Sequence, residues 1–218
     1  MKYFTREWHE EMQISGFLVF PETKQDWEQD VAWYHSEGMD FEEIRRYDLE
    51  HRKNDLLKFL PESFHPYIQD GTINSQFPSI KLRTMAEQWR SEHDKRMSMI
   101  WNEYRRGYLS IKDSLPEKAV QLCEKSLHDA KVTSIEMPSA DIFIMSLDCR
   151  GSYHYQTDIK VTFTGVKSLQ PPDLSVGSYW LYDEVYSTDS GFELNVLFDS
   201  PLVEFTVIAD NVMIEISS

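Results

Sequence analysis

Apolar residues recur along this chain with two different periods, and the change falls near residue 125. Up to Lys125 they return every three or four positions, as on one face of a helix. From Ser126 they return every second position, as on one face of a strand. The pattern predicts an α+β protein. Residues 1–125 form a helical N-terminal half with one long helix, and residues 126–218 an antiparallel β-sheet of about seven strands. The two regions are expected to pack together.

Start and stop signals divide the helical half. Thr5 can cap a short helix carrying Trp8 and Met12. Phe17-Leu18-Val19-Phe20 is an apolar run, strand or buried connector, that Pro21 ends. Thr23 with Asp26 resembles a capping box and opens a helix with Trp27, Val31 and Tyr34 on one face. Gly38 stops it. Asp40 with Glu43 repeats the signal for a helix to about Phe59, which Pro61 closes. A turn of helix over 64–68 ends at Asp70-Gly71. The longest element starts near Pro78 or Ser79 and runs to Ile111. Its stripe is Leu82, Met85, Trp89, His93, Met97, Ile100, Tyr104, Tyr108 and Ile111. About 30 helical residues make a rod of roughly 45 Å, a spine linking both halves, with Gly107 as the place for a bend. A short helix covers 117–124.

In the second half Ile159, Val161 and Phe163 alternate with Lys160 and Thr162, and Phe192, Leu194, Val196 and Phe198 with Glu193 and Asn195. Val203, Phe205 and Val207 repeat the pattern. Turn signals stand at Pro138-Ser139, Arg150-Gly151, Pro171-Pro172, Asp189-Ser190-Gly191, Ser200-Pro201 and Asp210-Asn211. Short connections between strands favour an antiparallel meander, a curved sheet or a small sandwich.

Charge narrows the choice of partner. The net charge is −15, of which residues 1–125 carry −5 and residues 126–218 carry −10. Nucleic acid is excluded as a partner because phosphates need clustered Lys and Arg, and an anionic membrane would repel such a surface too. The acidity either serves solubility or faces a basic protein partner. Cys123 and Cys149 stand alone, with no zinc spacing and no disulfide framework. The charged opening has no apolar signal-peptide core, and no apolar run approaches the ~20 residues of a membrane span. A reducing cytoplasm is the expected location.

Four constellations could carry chemistry. Asp48-x-x-His51 has helical metal-site spacing, and Asp55 and His93 could join it. The simpler reading gives Asp48 to ion pairs with Arg45 and Arg52. Glu62-x-x-His65 sits between prolines and reads as a turn. His128-Asp129 opens the β half; on an extended strand the two side chains point to opposite faces and do not pair. The fourth is the run Tyr179-Trp180-Leu181-Tyr182-Asp183-Glu184-Val185-Tyr186. Strict alternation puts Trp180, Tyr182, Glu184 and Tyr186 on one face, and neither face is plainly solvent-like. Aromatic and acidic side chains together suit an interface hot spot, so Tyr179, Trp180, Tyr182, Asp183, Glu184 and Tyr186 are the candidate partner-binding residues. Packing within the protein is the competing explanation. No GxSxG, P-loop, GxGxxG or HExxH motif is present, so no catalytic residue, metal ligand or cofactor is assigned.

Several stretches are familiar together: Lys2-Tyr3-Phe4-Thr5, Phe59-Leu60-Pro61-Glu62-Ser63-Phe64-His65-Pro66, Ser126-Leu127-His128-Asp129-Ala130-Lys131-Val132, Phe163-Thr164-Gly165-Val166 and Tyr179-Trp180-Leu181-Tyr182-Asp183-Glu184. With them the chain resembles an uncharacterised family from Gram-positive bacteria, domain of unknown function four thousand and eighty-five. That resemblance implies kinship and no activity. The Leu127-His128-Asp129 opening also resembles β modules of bacterial immunity-type proteins, which implies binding and neutralising a protein. The expectation is a non-catalytic protein-binding module of immunity or defence. The alternative is a small metal-dependent or hydrolase-like enzyme using His51, His93 and Asp48.

Overall fold

The structure, a computed structural model, describes residues 1–170 and 174–216. The turn expected at Pro171-Pro172 lies outside the described residues. The chain divides into two compact units, one of residues 9–99 and one of residues 1–8 with 100–218. The change from helix to strand falls between Glu124 and Lys131. The division into compact units falls elsewhere, inside the first helix and inside the longest one.

The unit of residues 9–99 is helical. It holds most of α1 (Arg6–Phe17), then α2 (Lys24–Ser36), α3 (Phe41–Phe59), α4 (His65–Gln69), α5 (Thr72–Ser75) and the first part of α6 (Ile80–Ile111). The caps are those the sequence signals. The Thr23 hydroxyl accepts from Asp26 N–H while the Asp26 carboxylate accepts from Thr23 N–H, a complete capping box on α2. Asp40 accepts from Glu43 N–H at 3.0 Å and starts α3. Gly38 and Gly71 close their turns with φ near +73° and +79°, a region where a side chain is strained. The core gathers Ile14, Leu18, Leu49, Leu56, Leu60, Phe64, Ile68, Ile73, Leu82, Ala86 and Trp89. Burying one such large aliphatic or aromatic side chain stabilises by about 1.5–3 kcal/mol. α2 contributes no buried residue, so its face of Trp27, Val31 and Tyr34 is only half-covered. Phe17-Leu18-Val19-Phe20 is the end of α1 and a connector with Leu18 buried, rather than a strand.

The other unit is built on one eight-stranded antiparallel sheet. Its strands are β1 (Lys131–Ser139), β2 (Ile142–Asp148), β3 (Asp158–Thr164), β4 (Ser168–Gln170), β5 (Tyr179–Thr188), β6 (Gly191–Asp199), β7 (Val203–Ala209) and β8 (Asn211–Ile216). Their order is β4-β7-β6-β5-β1-β2-β3-β8. The strand count exceeds the expected seven because β4, three residues long, is too short to show a period. The sheet curls over one face. Phe143 of β2 lies 5.6 Å from Phe205 of β7, and Phe163 of β3 lies 6.3 Å from Phe192 of β6, although these strands are not sheet neighbours. The helix α7 (Glu117–Glu124) adds Ala119 and Leu122 to the same core. α6 runs unbroken through Gly107, where a Cβ would meet nothing within 4 Å.

Candidate functional site

Strand β5 is where the sheet opens. It pairs with β6 along its length, but with β1 only near its start, at Lys131 opposite Tyr179. Trp180 N–H still donates to Ala130 O, and Asp129 N–H to Trp180 O. Beyond that point the two strands part. The residue responsible is Leu181. Trp180 stands opposite Phe198 and Tyr182 opposite Leu197, so Leu181 is an extra residue, a β-bulge. Its carbonyl accepts the Nδ1–H of His128 at 2.5 Å. Four residues on, Val185 N–H donates to the hydroxyl of Tyr104 on α6 at 3.1 Å. Side chains therefore take over backbone groups that a ninth strand would otherwise satisfy.

The bulge also re-deals the faces of β5. Trp180, Asp183 and Val185 look into the core side, while Tyr182, Glu184 and Tyr186 look to the other. Trp180 is 1% exposed, packs edge-on against Phe198 at 5.4 Å and donates its indole N–H to Asp183 Oδ2 at 3.0 Å. The single face of Trp180, Tyr182, Glu184 and Tyr186 read from strict alternation is not formed, because one inserted residue inverts everything after it. Glu184 is fully buried. Its carboxylate accepts the backbone N–H groups of Lys2, Tyr3 and Phe4 at 2.6–2.8 Å and the Tyr186 hydroxyl at 2.6 Å. That pins the segment before α1 to the sheet. Tyr179 is exposed under Lys131, and Tyr182 and Asp183 are half-buried.

Tyr182 and Asp183 border a cavity of about 470 Å³. Its walls are aromatic: Phe4, Trp101, Tyr104, Tyr108 and Tyr182, with the His128 ring 5.2 Å from that of Tyr182. Phe4 organises the wall, with ring centroids 4.6 Å from Trp101 and 5.0 Å from Tyr104. Asp183, Cys123 and Arg105 complete the lining. Burial pushes the Asp183 carboxyl up to about 6, and the neighbouring Glu184 charge adds to this. Hydrogen bonds from Trp180 and Cys123 and the nearby His128 pull the other way. Burial, with the charge of Asp183, also holds the Cys123 thiol well above its ordinary range. It is no thiolate nucleophile.

The remaining candidates lie elsewhere. His51 is exposed and its Nδ1 meets Tyr47 O of its own helix. His93 is buried and stacked on Trp89. Among the described residues no three His, Cys, Asp or Glu side chains converge as metal ligands. His65 starts α4, after a 3-10 turn through Glu62. His128 and Asp129 do approach, Nε2 to Oδ1 at 3.7 Å, because Asp129 has φ of 67° and is in a turn rather than an extended strand. Of the cavity's residues, sequence reasoning missed Phe4, Trp101, Arg105, Cys123 and Tyr153. Tyr104 was on the helix stripe and read as core.

Residues 3–209 match the family described as Protein of unknown function (DUF4085). The chain belongs to that family. No curated protein matches the sequence. No helix among the described residues is long and apolar enough to cross a membrane.

Proposed function

We propose that this member of the family is a non-catalytic protein-binding module, and that the cleft beside the β5 bulge receives a basic protein partner. The observation that carries the reading is Asp183. It is a carboxylate at an aromatic-walled cavity, it accepts the Trp180 indole N–H, and among the described residues no Lys or Arg forms an ion pair with it. Aromatic side chains around a desolvated charge make a recognition hot spot. Counted by compact unit, the net charge is −8 for residues 1–8 with 100–218 and −7 for residues 9–99. Long-range attraction for a basic partner therefore belongs to the whole chain, and specificity belongs to the cleft. A cytoplasmic immunity or defence role, in which a basic protein is bound and neutralised, fits this chemistry.

The test is binding of a fluorescent lysine-rich peptide at several salt concentrations. Asp183→Asn and Tyr182→Ala should each weaken it about tenfold, against little change for Glu136→Gln, which removes an exposed charge from β1. Equal effects of Asp183→Asn and Glu136→Gln would reduce the interaction to unspecific charge and overturn the reading.

A further inference from the structure

We infer that the cleft is a receptor for a single organic ammonium head, a lysine-type or methylated amine, and not for a guanidinium. The inference rests on the cleft being the recognition site proposed above, and it specifies the chemistry taken there.

Two features point to a cation. Trp101, Tyr104, Tyr108 and Tyr182 border one cavity of about 470 Å³, and Asp183 supplies one negative charge at its edge. The faces of aromatic rings attract cations, most strongly where water is excluded. A carboxylate alone would attract any cation, and rings alone any apolar group. The two together select an organic cation.

The geometry of Asp183 separates ammonium from guanidinium. A guanidinium binds a carboxylate through two parallel N–H bonds and needs both oxygens open. Here Oδ2 already accepts the Trp180 indole N–H at 3.0 Å. A fork would have to share Oδ2 with the indole. An ammonium is a compact charge that needs one oxygen. The cavity is also wide for a bare amine, so methyl groups on the nitrogen fill the space against the rings and lower the cost of leaving water. The expected order is quaternary ammonium, then primary ammonium, then guanidinium. Arg105 lines the rim as a like charge and is exposed, so its removal should tighten binding.

Tryptophan fluorescence with choline as the probe tests this on the full chain. Trp101 is 47% exposed and should report occupancy. Choline should bind at least tenfold tighter than its uncharged isostere 3,3-dimethyl-1-butanol, and tighter than arginine methyl ester. Asp183→Asn should abolish the preference for choline over the isostere. Trp101→Ala, on an exposed helix position, should weaken choline binding about tenfold with an unchanged circular dichroism spectrum. Equal binding of choline and its isostere, or stronger binding of the arginine ester, would overturn the inference. Competition separates the two proposals. If the lysine-rich peptide needs Asp183 and Tyr182 but choline does not bind, the protein-binding reading stands and the ammonium receptor falls. If choline binds and the peptide neither binds nor competes, the receptor is for a free amine and the protein-binding reading falls.

Discussion

The two compact units bury polar groups in opposite ways. In the sheet unit the buried groups form closed sets. Glu184 takes four donors, and Asn195 gives its Nδ2–H to Glu193 and takes the Thr206 hydroxyl at 2.7 Å. In the helical unit Asn74 Oδ1, His65 Nε2, His93 Nε2, Arg45 Nε and Arg90 Nε are buried with no hydrogen-bond partner. Trp8 Nε1 is the one such atom on the sheet side among the described residues. A satisfied buried network specifies one arrangement and is destabilising to disturb; an unsatisfied group is a standing penalty whose removal stabilises. The difference teaches where buried polar groups fix structure: their pairing helps to specify the sheet unit, while several in the helical unit are left unpaired within its apolar packing. Substitutions of buried polar residues should therefore have opposite signs in the two units.

The largest effect is expected at Glu184. Glu184→Gln keeps the volume but replaces an acceptor-only carboxylate with an amide that carries two donors of its own. Three converging backbone N–H groups and the Tyr186 hydroxyl then compete for one remaining oxygen. Charge-assisted bonds of this kind contribute about 1.5–3 kcal/mol each, and part of the loss is recovered by water. Denaturant unfolding should show a loss of about 3 kcal/mol. Hydrogen exchange should accelerate first at Lys2, Tyr3 and Phe4. An unchanged midpoint would show that the segment before α1 is held by its aromatic contacts instead.

The same contrast explains what could be read from sequence. Helix phase is set by the backbone, so the stripe on α6 is buried where the spacing puts it: Leu82, Trp89, His93, Met97 and Tyr104 are all under 9% exposed. Caps at Thr23 and Asp40 and the stop at Gly38 are local chemistry and legible for the same reason. Strand facing is not local. Leu181 looks like any residue of an alternating run, and only pairing with β6 reveals it as an insertion. So the strand was visible and its faces were not. The cleft combines Phe4, Trp101, Cys123 and Asp183, which lie far apart along the chain and meet only through the fold. Of its wall, the run at 179–186, His128 and the stripe residues Tyr104 and Tyr108 were legible, but not that they meet.

Asp183 tests the sheet unit's rule at its boundary, since it is a half-buried acid with only partial compensation. Its folded pKa, about 6, lies above its ordinary value of 3.8, so the folded state holds the proton more tightly than the unfolded state. Stability from this group is complete below the unfolded pKa and is lost as pH rises from about 4 through 6. Asp183→Asn removes the charge and keeps an oxygen for the Trp180 indole. Above pH 7 the variant should be more stable by about 1–2 kcal/mol, and near pH 4 the gain should vanish. Denaturant midpoints at the two pH values measure it. A gain of equal size at both would assign the effect to packing rather than to charge.

The smallest effect, and the one of opposite sign to Glu184→Gln, is expected in the helical unit at His93. Its ring is 1% exposed and stacks on Trp89 at 5.0 Å; Nδ1 reaches only the exposed Asp94 carboxylate at 3.3 Å, and Nε2 meets nothing. Leucine has a similar volume, favours helix more and brings no polar atom, so it keeps the packing and removes the unpaired nitrogen. His93→Leu should raise stability by about 1 kcal/mol, as removal of an unsatisfied buried group does when the shape is kept. The comparison variant is His93→Gln, which keeps polar atoms in the same place and should gain nothing. The pair of variants separates desolvation from helix propensity, because both residues are good helix formers. A loss of stability in His93→Leu with none in His93→Gln would mean that Nε2 has a polar partner in solution. The helical unit would then be fixed by polar pairing at this position, as the sheet unit is at Glu184.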